Sequence, residues 1–297
     1  MLDLDSIKAF VAVAETGSFS TAANRLHLTQ PAVSKRIALL EGQMDVKLFD
    51  RIGRTVTLTE AGRELEPRAR EILLNIEDTQ RAIRNLTHEV SGQLSIATSH
   101  HIGLWRLPAI LRAYSERYPR VALDLHFMDS EVAHEQIVQG NLELGIITMA
   151  PTNHERLLSR HIWTDDLIFV CAEDHELARA PAISLAQIAE FPAILPDMST
   201  FTGRIVKHLF EDEGLAINIS MSTNYLETIR MLIKIGLGWS VLPSTMLGEG
   251  IHPVPVTGIS IQRKLGVIHH VQRTLSNAAV AFMTLLDEQR DASAMSD

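Results

Sequence analysis

The chain has 297 residues, of which 46% are hydrophobic and 21% charged. That composition supports folded cores and excludes global disorder. At roughly 100–200 residues per domain, the length argues for two domains with room for a small third. Asp and Glu outnumber Lys and Arg by 36 to 27, a formal charge of −9. Taken over the whole chain, that argues against a nucleic-acid partner, because phosphate binding needs cationic surface. A single cysteine, Cys171, excludes an internal disulfide framework and a cysteine-based structural zinc site. The opening MLDLDSIKAF has no basic stretch ahead of an apolar run, and no segment reaches about 18–20 uninterrupted apolar residues. The expectation is a cytoplasmic protein with no membrane partner.

The charge is unevenly placed. Residues 1–90 carry 12 Lys/Arg against 13 Asp/Glu, whereas residues 91–297 carry 15 against 23. Between Arg25 and Leu58, six cations (Arg25, Lys35, Arg36, Lys47, Arg51 and Arg54) face only Glu41, Asp45 and Asp50. Steering depends on local potential, so this window can meet phosphate despite the chain's net charge. The same window also reads as an ordinary solvated face.

Leu4, Ile7, Phe10, Val11, Val13 and Ala14 recur at helical spacing, and Gly17 is placed to end that helix. Ser18 or Ser20 can cap a second helix reaching about Leu26, with Ala22, Ala23 and Leu26 on its inner face. After a short connection, Thr29 or Gln30 can cap a third helix that tolerates Pro31 in its first turn. Val33, Ile37, Leu40 and Met44 form its buried stripe, which leaves Gln30, Ser34, Lys35 and Gln43 outside the core. Two short helices with polar residues at the start of the second form a helix-turn-helix, whose second helix enters the DNA major groove. Gln pairs with adenine there, Ser with either base, and Lys with guanine or phosphate. Gly53 can turn a hairpin whose tip carries Arg51 and Arg54 and whose return strand holds Val56 and Leu58, a wing suited to the DNA backbone or minor groove. A helical corner used only for packing is the alternative.

The runs 17–23 (GSFSTAA), 29–37 (TQPAVSKRI), Leu40-Glu41, 48–51 (LFDR) and 57–62 (TLTEAG) resemble the LysR-type transcriptional regulators, in one order and with family spacing. The resemblance is dense over residues 1–62 and looser to the end. It implies an α/β chain with an α-rich N-terminal winged helix-turn-helix, a long linker helix and a two-lobed effector domain like the periplasmic binding proteins. Carried over position by position, it puts Gln30, Pro31, Ser34 and Lys35 at the major groove, Arg54 on the wing, and Ser18 and Thr29 near phosphates. The partners it implies are double-stranded DNA, a small-molecule inducer and further copies of the chain; RNA polymerase is a further candidate. No cofactor and no enzymatic activity are expected.

In residues 59–90, Leu65, Ala69, Ile72, Ile76, Thr79, Ile83, Leu86 and Val90 follow alternating steps of four and three, an a/d seam. About 30 helical residues span on the order of 45 Å. A one-sided apolar seam of that length calls for a second subunit, giving a homodimer and, from the resemblance, a homotetramer; packing on the chain's own effector domain is the alternative. Pro67 and Thr79 weaken the pairing.

From residue 91 on, strands alternate with helices: strands at 94–97, 121–125, 142–148, 167–170 and 265–268, helices at 130–139, 205–213, 226–235 and 277–290. That alternation predicts a parallel α/β architecture. The resemblance implies two crossings between lobes, near 163–166 and 264–270, with lobe I at about 91–164 and 267–297 and lobe II at about 165–266. Domains are thus expected at 1–58, 59–90 and 91–297.

Ligands in open parallel sheets sit beyond the carboxyl ends of strands. That places Thr98, Ser99, His100 and His101 at the mouth after the first strand, with Thr148 after the third and residues 199–203 after another. Residues 116–121 (ERYPRV) and Phe201-Thr202-Gly203-Arg204 are similar to the cysteine-regulon activator branch of the family. By that resemblance Ser99, Thr148 and Thr202, beside Phe201, match hydroxyl positions of a sulfate-like anion pocket, while His101 and Ile102 replace its Thr and Gln. Hydroxyls with helix N-termini suit a small anion or carboxylate without a fixed cation, and a histidine adds charge below about pH 6.5.

Enzyme motifs are missing. His100-His101 and His269-His270 are adjacent rather than at i, i+4, and no HExxH, GxSxG or P-loop occurs. Gly236-Leu237-Gly238 lacks the third glycine and the acidic partner of a dinucleotide site. Cys171 follows an apolar strand and reads as a small core residue. The reading is a sequence-specific transcriptional regulator modulated by a small molecule; a small-molecule binding module without a DNA role is the alternative.

Overall fold

The computed structural model describes residues 3–52, 55–288 and 290, which form two compact units meeting between Thr87 and His88. In the first, α1 (Leu4–Thr16), α2 (Phe19–Arg25) and α3 (Gln30–Met44) precede a hairpin of β1 (Phe49–Ile52) and β2 (Thr55–Leu58) and the long α4 (Glu60–Asn85). Caps set the corners. Asp3 accepts from the Ser6 N–H, Ser18 from Thr21, Thr29 from Ala32 and Thr59 from Gly62. Gly17 ends α1 in the left-handed region, at φ 59°, where a Cβ is penalised. Phe10, Ala22, Ala23, Val33, Ile37, Leu40, Leu48 and Phe49 close one core. A side chain at Gly62 would meet the Leu48 carbonyl oxygen at 2.2 Å, so only glycine lets α4 start against the chain there.

The seam along α4 divides. Leu65 and Ala69 are buried in the core of their own unit, with Leu73 packed beside them. They do not belong to a surface awaiting a partner. Ile72 and Ile83 are exposed, the latter at 63%. The helix ends at Asn85, and Val90 packs into the core of the second unit.

The second unit runs β3 (Gly92–Thr98), α5 (His100–Trp105), α6 (Pro108–Arg117), β4 (Val121–Phe127), α7 (Ser130–Val138), β5 (Leu144–Thr148) and β6 (Leu157–Ala172). It continues through α8 (Leu185–Ala189), β7 (Ala193–Leu195), α9 (Phe201–Asp212), β8 (Ile219–Ser222), α10 (Leu226–Lys234), β9 (Ser240–Pro243), β10 (Ile251–Pro253), β11 (Ile261–His270) and α11 (Asn277–Asp287). The strands β3, β4 and β5 are parallel, as are β7 and β8. The long β6 and β11 depart from the all-parallel pattern: they pair antiparallel with each other, and β5, β9 and β10 add to them antiparallel.

Those two strands pass through two cores. Ile162 and Trp163 of β6, with Leu265 and Val267 of β11, pack with Leu94, Ile96, Tyr114 and Phe282. Leu167 and Phe169, with Ile261, pack with Val206, Phe210, Trp239 and Val241. The domain is therefore two-lobed, and Asp165 and Arg263 lie at the change of lobe. Burial pushes the Cys171 thiol up to about 11, in keeping with a core role.

Candidate functional site

The first candidate surface is the start of α3. Thr29, Gln30, Pro31 and Lys35 are exposed and Ser34 is half-buried, while Val33 and Ile37 face the core. The Gln30 amide donates to Ser34 Oγ at 2.9 Å, which aligns two groups able to address base edges. The Ser18 and Thr29 hydroxyls accept from N–H groups of their own helices, so both act first as caps. The basic window is less free than its count implies. Arg25 pairs with Glu15, Arg36 with Asp5 at 2.9 Å and Lys47 with Glu41 at 2.7 Å. The cationic members of these pairs reach solvent, so phosphate can compete for them, although Glu41 and Glu15 are themselves mostly buried. Lys35 makes no ion pair among the described residues. β1 and β2 pair in register from Phe49–Leu58 to Ile52–Thr55, as a wing requires. Gly53, Arg54 and the side chain of Arg51 lie outside the described residues.

The second candidate site is a polar cleft of about 50 Å³ between the lobes. Lobe I contributes Ser99, His100, His101, Asp129, Ser130, Glu131 and Thr148; lobe II adds Pro196, Thr200, Thr202, Asn224 and Leu226, with Arg263 from β11. His100 stacks on Phe127, ring centroids 5.4 Å apart, and meets Tyr225 edge-on at 4.9 Å. Two expected residues are placed elsewhere. Thr98 is buried in the sheet, where its hydroxyl donates to the Ile146 carbonyl at 2.8 Å, because the strand continues inward through it. The Phe201 ring lines a neighbouring cavity, and only its backbone turns toward the cleft.

Beneath the cleft lies a buried charge cluster that motif reading did not reach. Arg263 donates from Nε and Nη2 to Asp165 Oδ2 at 3.2 and 2.8 Å, and from Nη1 to Thr202 Oγ1 at 3.0 Å. Arg106 donates to Asp165 Oδ1 at 2.6 Å. Burial alone would raise the Asp165 carboxyl, but His101, Arg263 and Arg106 win and hold it well below the usual carboxylate range. Two guanidiniums around one carboxylate leave positive charge under the cleft. A fixed cation is therefore present, contrary to the expectation of hydroxyls alone. Burial pushes the His101 imidazole below its ordinary value, despite Asp165 3.4 Å from Nε2. The fixed charge beneath the cleft is that of the Arg263 and Arg106 guanidiniums.

The chain's own acids answer that charge. The Glu131 carboxylate accepts the Phe201 N–H at the start of α9, and burial raises its carboxyl above the ordinary range. Asn224 donates to Asp129 at 2.7 Å, and Trp105 donates to Glu227 at 2.6 Å, further links between lobes. The alternation Ile261, Arg263, Leu265 along β11 places an arginine on a buried face, which is the one sequence signal for this cluster.

A winged helix-turn-helix joined through a long helix to a two-lobed domain with a polar interlobe cleft defines a ligand-responsive DNA-binding regulator. Residues 4–63 match the family described as "Bacterial regulatory helix-turn-helix protein, lysR family", and residues 87–291 match the LysR substrate binding domain. The chain belongs to the LysR family of transcriptional regulators. It is 30% identical over 291 residues to the HTH-type transcriptional regulator YeiE of Escherichia coli, covering 96% of this chain and 97% of that one. It is 69% identical over 107 residues to an HTH-type regulator of Azotobacter vinelandii, covering 36% of this chain and 74% of that protein. A solved structure of full-length CbnR complexed with its target DNA shares the fold, with a TM-score of 0.64 at 22% identity, covering 97% of this chain and 99% of that one. No helix among the described residues is long and apolar enough to cross a membrane.

Proposed function

We propose that this regulator acts in the cytoplasm as a homodimer, or a dimer of dimers, that reads operator DNA through paired copies of α3. Gln30, Pro31, Ser34 and Lys35 address the major groove. Ser18 and Thr29 approach phosphates at helix starts, and Arg51 and Arg54 hold the wing to the backbone. The observation that carries this reading is the polar, exposed start of α3 standing on a core that needs none of those side chains. The target DNA in the CbnR complex supports it by fold. Self-association uses the outer face of α4 beyond Ala69, where Ile72, Ile76 and Ile83 have no core to enter. RNA polymerase is the further partner that a promoter-bound regulator meets.

The effector is a small anion or carboxylate. Its negative group replaces the Glu131 carboxylate at the Phe201 N–H, above the excess charge of Arg263 and Arg106, with Ser99, His100, Thr148, Thr200 and Thr202 as polar walls. A helix start with aimed N–H groups and a nearby guanidinium suits that charge. The cleft is small, so binding requires Glu131 to withdraw or the lobes to part. A thermal-shift screen of small anions and carboxylates, followed by footprinting of upstream DNA with and without each hit, tests both halves. Hits that raise the melting temperature yet leave the footprint unchanged reject the effector role.

A further inference from the structure

Next to the cleft is a larger cavity of about 570 Å³, bounded by β6, β11, α9, the segment after β5 and Arg290. Its walls carry the cations Arg160, Arg204, Lys264 and Arg290 beside the imidazoles of His161 and His208, and no Asp or Glu among the described residues lines it. This is the reverse of the surrounding chain, in which residues 91–297 hold 15 Lys/Arg against 23 Asp/Glu. The cations are held in place. Asp287 pairs with Arg160, and Arg290 Nε donates to the His161 carbonyl at 3.1 Å. The Arg204 guanidinium lies over the Phe201 ring, 4.9 Å from its centroid, and its Nε is buried without a hydrogen-bond partner. Phe201, Arg204, Ile205 and His208 follow the i, i+3, i+4, i+7 spacing of one helical face, so α9 presents a continuous wall. Met149, Pro151 and Ile205 give that wall an apolar floor.

We propose that this cavity is a second ligand site, separate from the interlobe cleft, for a small polyanion bearing two or more carboxylate or phosphate groups. Cations spread over several walls favour a ligand with more than one negative group. Guanidinium forks match carboxylate and phosphate oxygens bidentately, and the volume falls within the range of ordinary small-molecule sites. The site has a route to the regulator's response, because Arg263 borders both cavities and α9 carries Thr202 toward the cleft and Arg204 toward the polyanion.

The test is calorimetric titration of the full chain with citrate and with pyrophosphate at constant ionic strength. Each is repeated on Lys264→Gln, an exposed position that no core depends on, on Arg204→Gln, and on the cleft variant Ser99→Ala. The proposal expects submillimolar binding of at least one polyanion, weakened fivefold or more by Lys264→Gln and by Arg204→Gln and unchanged by Ser99→Ala. No binding below 10 mM for either compound overturns it. Equal affinity in wild type and both cavity variants also overturns it, as does a loss confined to Ser99→Ala, which would assign the polyanion to the cleft.

Discussion

Asp165 and Arg263 are register partners on the antiparallel strands β6 and β11, and both are buried at the point where each strand leaves one lobe for the other. A buried pair of this kind is no net gain over apolar residues by default, but removing one member strands the other. Arg263→Met should therefore cost about 3 kcal/mol, the low end of the usual range because Arg106 still holds Asp165 Oδ1. Urea unfolding of the C-terminal unit measures it. A cost under about 1 kcal/mol would mean that the pair is more hydrated than its burial indicates.

Asp165 and His101 contribute to the pH dependence with the same sign, and His134 and His269, whose imidazoles burial also lowers, add to the His101 contribution. Asp165 is held below its unfolded value of about 3.9, so its contribution is complete above about pH 4 and is lost as pH falls below that. His101 is held below about 6.5 by burial, so the unfolded chain takes the proton first and stability also falls as pH drops below about 6.5. Melting temperatures between pH 7.5 and 3 should decline in two stages. His101→Gln should reduce the upper stage, to which His134 and His269 also contribute, and Asp165→Asn should reduce the lower; an upper stage undiminished in His101→Gln would contradict the assignment.

Glu131 occupies the backbone position proposed for the effector's negative group. Glu131→Gln keeps an acceptor for the Phe201 N–H but removes the competing charge. Anionic effectors should then act at concentrations up to about tenfold lower, equivalent to about 1.4 kcal/mol. A dose–response curve from a promoter fusion measures this. A shift to higher concentrations would show that Glu131 binds the effector rather than making way for it.

The two halves of α4 should respond differently. Ile76→Asp with Ile83→Asp should yield monomers in sedimentation and weaken operator binding while leaving the N-terminal unit folded. Leu65→Ala should instead cost about 2–4 kcal/mol of that unit's stability, because Leu65 is in its core. Dissociation caused by Leu65→Ala alone, with stability unchanged, would restore it to the subunit seam.

Much of the architecture was legible because it follows local rules. Gly17, Ser18 and Thr29 mark helix ends through φ preference and capping, and the Val33, Ile37, Leu40 stripe separates core from recognition face. The seam was ambiguous because the spacing of Leu65 and Ala69 does not say whose core they enter. The site was less legible. Ser99, Thr148 and Thr202 follow strand ends or helix starts, which chain order exposes. Arg263 and Asp165 meet across 98 residues through strand register, and Glu131 reaches α9 from the opposite lobe. Pairings of that kind depend on tertiary closure. Whole-chain charge misleads for the same reason, since it averages an acidic sensor with a small basic window.

The central claim is that the start of α3 reads DNA. Its most direct measurement is a quantitative footprint on the DNA upstream of the protein's own gene, comparing wild type with Ser34→Ala and Lys35→Ala across a salt series. Wild type should protect a defined region. Ser34→Ala should weaken binding by about 1–3 kcal/mol with its salt slope intact, and Lys35→Ala should make the salt slope shallower by about one unit, all with unchanged folding of the C-terminal unit. Wild-type protection that neither substitution alters in affinity or salt slope would contradict the account.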